Sequence, residues 1–250
     1  MQYMGSKNRI AKELVPIIQS YINENTKGYM EIFVGGANVI DKIQCSNKIG
    51  CDIHKHLIAL LKHIQEKVDD LPETILFDEY DKVRASFRKE DGNYEDWYYG
   101  LVGFCGSFGN RFFDGGYARN SKEDVNGQRV KQSVKNVIKQ APNLKDIKFD
   151  CIDFRDLPKE NIKGYVIYCD PPYKDTKQYS NKEKFPYEEY YQWVREMSKD
   201  NIVLCSEYWM PDDFTCIWQK ETKTLIDSNK KSDDTKNVRV EKLYIYKNIK

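Results

Sequence analysis

The chain has 250 residues, of which 32% are charged and 40% hydrophobic, and its formal net charge is +1. That length suits one large α/β domain, or a core domain with a substantial insertion, and the balance is that of a globular protein rather than a disordered or fibrous one. Near-neutral charge excludes polyanion binding by bulk electrostatics, so any nucleic-acid contact must come from a local patch.

Ser6 or Asn8 can cap a first helix running to about Tyr21, with Ile10, Leu14, Ile17, Ile18 and Tyr21 on one stripe and Pro16 expected to kink it. Residues 29–33 read as a strand and 34–38 as a glycine-bearing turn into a helix. Residues 48–52 read as a second short strand, and 53–64 return to helical period through Leu57, Ile58, Leu60, Leu61 and Ile64. From about 69 to 144 the strands stop and Tyr, Phe, Trp, Gly and charge take over. So long a detour is unusual in an alternating fold. It reads as an inserted, mainly helical subdomain, leaving 1–68 and 145–250 as the core domain. Strands return at 147–152, 164–169 and 202–205, with a helix near 187–197, and 214–218 and 243–246 complete the sheet. Residues 220–236 read as a polar, charged loop.

The basic patch lies in 111–139, where Arg111, Arg119, Lys122, Arg129, Lys131, Lys135 and Lys139 outnumber three acids. Aromatics and glycines are interleaved with them, which puts nucleic-acid contact ahead of a merely solvated face. The seven cysteines form no CxxC pair, and no secretory signal or long apolar span is present. A reduced, cytoplasmic setting without membrane contact is expected. His54, His56 and His63 lie on one helical segment without matching Cys or carboxylate spacing, so surface histidines are expected, and no metal.

The most informative motif is Asp170-Pro171-Pro172-Tyr173, which ends the apolar run 164–169. An acid, two prolines and an aromatic make a rigid, exposed lip on a buried strand. The Asp170 carboxylate and the Pro171 carbonyl can accept hydrogen bonds from an amino group on a planar ring, and Tyr173 can stack on that ring. The bland alternative is an ordinary exit from a sheet, since Pro cannot continue a central strand. Company decides. Glu31, Asp52, Asp153 and Asp170 each sit at or near a strand's end, the edge where open α/β sheets bind ligands. Phe33-Val34-Gly35-Gly36-Ala37 follows a strand as a turn that brings backbone close to a cofactor, and Asp52 suits a ribose hydroxyl. No Gly-Lys-Ser/Thr follows Gly35-Gly36, so a Walker-type phosphate loop is excluded.

In this order along the chain, Tyr3-Met4-Gly5-Ser6-Lys7, Glu31-Ile32-Phe33-Val34-Gly35-Gly36, Cys51-Asp52-Ile53, Cys151-Ile152-Asp153-Phe154, Asp170-Pro171-Pro172-Tyr173 and Cys205-Ser206-Glu207-Tyr208 resemble the Dam-type DNA adenine methyltransferases. The resemblance implies a Rossmann-like α/β sheet, S-adenosylmethionine as cofactor and double-stranded DNA as partner. It implies that Tyr3 and Lys7 are N-terminal cofactor contacts, with Lys7 near the methionine carboxylate. Glu31, Phe33, Gly35 and Gly36 would cradle the methionine part, Asp52 would hold the ribose with Ile53 among the contacts, and Asp153 would bond the cofactor's adenine amino group beside Phe154. Asp170, Pro171 and Tyr173 would be catalytic, with Asp170 also near the cofactor. Residues 69–144 would be the target-recognition region, and Gln2, Ser107, Asn110, Arg111, Arg119 and Lys122 would face DNA. The chain departs from the family's pattern at Gln2, where lysine is usual, at Ile32 in place of proline, and at Ala37 in place of a second loop glycine. The first bears on the family's familiar GATC specificity, the others on loop stiffness.

None of the seven cysteines follows a proline, which excludes cysteine-dependent methylation of a cytosine ring. Amino methylation of cytosine or RNA, and a DNA-binding module without catalysis, remain as alternatives to adenine-N6 methylation.

Overall fold

The computed structural model of the chain describes residues 1–120, 126–174, 185–223 and 238–246. Its strands are β1 (Gly28–Ile32), β2 (Lys48–Asp52), β3 (Ile147–Cys151), β4 (Tyr165–Cys169), β5 (Ile202–Glu207), β6 (Phe214–Lys223) and β7 (Val238–Tyr246). They form a seven-stranded mixed sheet in the order β3-β2-β1-β4-β5-β7-β6. The helices are α1 (Ala11–Ser20), α2 (Lys55–Lys67), α3 (Phe77–Lys89), α4 (Asp96–Cys105), α5 (Gln128–Gln140) and α6 (Tyr187–Met197). Two compact units share the chain: Met1–Ser20 with Phe33–Asp153, and Tyr21–Ile32 with Phe154–Lys250.

In the first unit β2 runs parallel to β3, with Asp52 opposite Cys151. The chain enters α2 through His54, whose Nδ1 accepts the Leu57 amide at 3.3 Å and satisfies an orphan donor of the first turn. The helix buries Leu57, Ile58, Leu60, Leu61 and Ile64, as its periodicity requires. Of the three histidines expected at the surface, His54 and His63 are half-buried and His56 is inside. His56 is buried, its ring stacked on Phe112 (centroids 5.4 Å apart, 15° between planes) and edge-on to Phe87 and Tyr99. His63 stacks on Trp97. Flat rings of intermediate polarity fill an aromatic interior supplied by α3, α4 and Phe112 beyond them, and the sequence alone does not reveal that cover. α5 buries Val130, Val134 and Val137 at helical spacing while Lys135 and Lys139 stay exposed.

The turn after β1 also differs from expectation. Only a 3₁₀ turn, Ile40–Lys42, follows it rather than a full helix. The carbonyls that a helix would engage are taken by side chains: Lys42 Nζ donates to Asn38 O at 2.7 Å, and Gln140 Nε2 to Gly36 O and Ala37 O.

In the second unit β1, β4 and β5 are parallel, and β7 runs antiparallel to both β5 and β6. All five residues of β1 are buried, Glu31 included. β6 reaches Lys223, so residues 220–223 are strand and not the loop expected. The ladder to β7 explains them: Lys220 stands opposite Glu241 and Thr222 opposite Arg239, cross-strand pairs that a polar sequence conceals. The rest of that expected loop, 224–236, lies outside the described residues. α6 matches its expected bounds and is tied down by Arg195, which donates to both carboxylate oxygens of Asp213 (2.6 and 3.0 Å).

Candidate active site

The first unit contributes one set of the sequence-predicted residues, built around the end of β2. Asp52 Oδ2 accepts the Gly35 amide at 3.1 Å, and Oδ1 accepts the His54 amide at 3.0 Å. Burial pushes its carboxyl up, while the amides of His54, Gly35 and Ile53 pull it back toward the charged form. A carboxylate offers about four acceptor sites, so the three amides leave capacity for a further hydroxyl donor. Ile53, the next residue, is 54% exposed, an apolar side chain turned out at a strand's end. Asp153 follows β3 at the same edge as Asp52, where the Ile152 amide donates to Asp52 O at 3.1 Å.

Opposite Asp52, the turn after β1 is packed closely. Gly35 has φ +49°, and a Cβ there would lie 2.9 Å from the Tyr3 ring. A Cβ on Gly36 would meet Asn38 Nδ2 at 2.7 Å and Tyr3 Cβ at 2.8 Å, so neither glycine tolerates a side chain. Phe33 (φ 68°) and Ala37 (φ 55°) adopt the left-handed region without being glycine, at a cost of roughly 1 kcal/mol each. Tyr3 also tilts against Phe104, with centroids 5.4 Å apart. Lys7 is buried, its Nζ 3.4 Å from Gly5 O.

The second unit contributes Glu31, Phe154 and the lip. Glu31 is 3% exposed in the middle of the sheet and accepts from the Tyr29 hydroxyl at 3.5 Å. In register, Ile32 stands opposite Cys169, so Glu31 and Asp170 belong to one strand edge. Asp170 is the first residue past β4, where Pro171, lacking an N–H, ends the ladder. The lip is less exposed than expected: Asp170 and Pro172 are half-buried, and Pro171 and Tyr173 are buried. Tyr173 is no open stacking platform. Its hydroxyl donates to Glu241 Oε2 at 2.9 Å, and its ring stands at 83° to Tyr208 with centroids 4.5 Å apart. Burial, then the charge of Asp170, keeps its phenol neutral well above the usual range.

The lip's backbone is fixed from outside the motif. Tyr187 donates its hydroxyl to Pro172 O at 3.0 Å. Glu207, 2% exposed, accepts the Lys174 amide at 3.3 Å and the Tyr208 amide at 2.7 Å. Phe154 sits in an aromatic nest with Phe185, Tyr190 and Trp193. Tyr187 carries no signal in the sequence beyond lying on a helix, whereas Glu207 lies in the segment 205–208 that shares the family resemblance, though without an expected role.

Of the expected DNA contacts, Gln2 and Arg119 are exposed and Asn110 and Arg111 half-buried. Ser107 is not on the surface. It is 1% exposed, its Oγ accepting the Phe113 amide at 3.1 Å and bonding the Tyr80 hydroxyl at 3.1 Å. A serine that shapes a turn from inside looks the same in sequence as one that faces a ligand. Lys122 lies outside the described residues.

The family model for D12 class N6 adenine-specific DNA methyltransferase matches residues 3–197. The type II methyltransferase M.MjaIII of Methanocaldococcus jannaschii is 28% identical over 212 residues, covering 72% of this chain and 71% of that protein. The type II methyltransferase M.FokI of Planomicrobium okeanokoites is 21% identical over 193 residues, covering 70% of this chain but 29% of that protein. Among solved structures, the rRNA methyltransferase aviRa of Streptomyces viridochromogenes aligns over 98% of this chain and 86% of its own, with 8% identity and a TM-score of 0.43. Among the described residues no helix is long and apolar enough to cross a membrane. The family match, running from the Tyr3 segment through the Asp170 lip to the end of α6, shows that the chain belongs to the D12 class of N6 adenine-specific DNA methyltransferases, with DNA as substrate and S-adenosylmethionine as methyl donor.

Proposed function

We propose that the chain methylates adenine at specific sites in double-stranded DNA, with Asp170 and the Pro171 carbonyl gripping the amino group of an extruded base. The residues fit the cofactor on their own chemistry. Asp52 keeps acceptor capacity for a ribose hydroxyl, and exposed Ile53 offers an apolar face for a ring. Gly35 and Gly36 leave backbone, not side chain, beside the methionine part. Buried Lys7 suits its carboxylate and buried Glu31 its ammonium, while Asp153 and Phe154 take the adenine. When bound, S-adenosylmethionine supplies an electrophilic methyl carbon on a sulfonium.

The amino nitrogen of adenine is a poor nucleophile, because its lone pair is delocalised into the ring. Accepting both of its N–H bonds at Asp170 and the Pro171 carbonyl favours a pyramidal nitrogen with the lone pair available for attack. The proton lost from nitrogen leaves by way of the Asp170 carboxylate. Positioning and electrostatic complementarity supply the rate, since Tyr187 and Glu207 fix the lip's backbone beforehand. Inside a duplex the base is unreachable, so it must leave the stack at a cost of about a few kcal/mol. Tyr173, buried and anchored by Glu241, would keep the far end of the lip rigid while the base is held.

Residues 69–144 we assign to target recognition, with Asn110, Arg111, Arg119 and Gln2 toward DNA. Basic side chains there would place the protein on phosphates before any base is read. The names of the type II relatives support a restriction-modification role, exercised in the cytoplasm, where the DNA is.

The observation that carries the proposal is Asp170 standing first beyond β4, at the head of a lip whose Pro172 carbonyl is held by Tyr187 and whose Lys174 amide is held by Glu207. Asp170→Ala at saturating cofactor is expected to lower methylation at least about a hundredfold while weakening cofactor binding far less. Near-normal turnover would remove Asp170 from the role. Sequencing modified bases in DNA from cells that express the protein should find N6-methyladenine at one motif, and any other modified atom would overturn the assignment.

A further inference from the structure

Gln140, the last residue of α5, reaches across 104 positions of sequence to the turn that follows β1. Its side chain is 7% exposed. Nε2 lies 3.1 Å from Gly36 O, 3.0 Å from Ala37 O and 2.9 Å from Asp41 Oδ2, and Oε1 accepts from the Met1 amine. The amide has two N–H bonds for three acceptors, so it holds two at a time and is saturated. Lys42 completes the arrangement by donating to Asn38 O and Asp41 Oδ1, both at 2.7 Å. Three successive carbonyls, 36 to 38, thereby point at side-chain donors. Within that stretch Ala37 holds φ 55° where glycine would rest without strain.

We propose that Gln140 is a positioning residue for the methyl donor, its amide holding the Gly36–Ala37 backbone in the shape that receives the cofactor. This rests on the reading of Gly35–Ala37 as the cofactor turn. Only a neutral amide of this length does the job: an apolar side chain would leave buried carbonyls without donors, and a carboxylate would face Asp41 and those same oxygens. Methyl-donor affinity thus depends on a residue delivered by a helix of the segment assigned to target recognition.

Gln140→Met preserves length and volume and removes the donors. Calorimetry of S-adenosylmethionine binding to the purified protein without DNA should show affinity weakened about tenfold. Turnover at saturating cofactor should stay within about twofold, and adding Ala37→Gly should recover part of the affinity, because glycine holds the turn without help. Unchanged affinity in Gln140→Met overturns the proposal, and so does an equal fall in affinity and saturating turnover, which would mark a general loosening. Should Gln140→Met melt below the assay temperature, Gln140→Asn, an amide too short for the carbonyls, is read by the same criteria. Asp52→Ala separates the two levels: if it also leaves affinity intact, the cofactor reading itself has failed, whereas weakened binding in Asp52→Ala alone defeats only the role of Gln140.

Discussion

Two strand exits, one after β1 and one after β4, solve the same problem by opposite means. In the proposed mechanism both present backbone to a ligand in a set shape. The turn after β1 uses permissive residues, Gly35 and Gly36, and gets its rigidity from distant parts: Tyr3 filling the space a side chain would take, Asp52 accepting the Gly35 amide, and Gln140 on the carbonyls. The lip after β4 is stiff by covalent structure, two prolines in a row, and tertiary contacts only orient it. A shape held by tertiary contacts should break when the contacts break. A shape held by rings should bend little.

The strongest test of that contrast is Gly36→Ala. The added Cβ meets Asn38 and Tyr3 below 3 Å, so cofactor binding should weaken at least about tenfold, with stability falling by roughly 1–3 kcal/mol. Intact binding would mean that the turn yields and is not clamped.

A smaller effect should follow from His54, which donates its amide to Asp52 and caps α2. Burial, with His56 nearby, pushes its imidazole from 6.5 down to about 4. The unfolded chain therefore takes up a proton near pH 6.5 that the folded chain refuses until about pH 4. Stability contributed by the neutral ring is complete above pH 6.5 and is lost as pH falls toward 4. Denaturant unfolding across that window should show the decline, and His54→Gln should flatten it. An unaltered slope would place the acid sensitivity elsewhere.

The mildest change should be Tyr187→Phe. It removes the hydroxyl that bonds Pro172 O but leaves both pyrrolidine rings, so stability should drop by no more than about 1 kcal/mol and turnover by about twofold to fivefold, with cofactor affinity unchanged. A collapse of turnover would show that the prolines do not suffice and that both exits depend on tertiary contacts.

The same contrast explains what could be read from sequence. β2 and α6 fall within their expected bounds because a short apolar run and a regular stripe are local signals. Asp170-Pro171-Pro172-Tyr173 is legible for the same reason, since proline chemistry travels with the residue. What sequence cannot show is which residues meet. Gln140 is one more polar position at the end of an amphipathic helix until its amide is seen on Gly36 O and Ala37 O. Ser107 and Tyr173, expected to face ligands, are turned inward by Tyr80 and by Glu241. Residues 220–223, charged and without apolar alternation, become strand only because β7 supplies their partners.

The acids that secure the lip, Glu207 and Glu241, stand on β5 and β7, beyond residue 197 where the family match ends. A chimera that kept residues 3–197 and borrowed its final strands from a cousin would inherit the carboxylate proposed to react without the moorings of its lip. Tyr173 would keep its phenol and lose the acceptor, and the Lys174 amide would be left to water. Anyone recombining members of this family should therefore move the antiparallel pair together with the prolines, as one cassette.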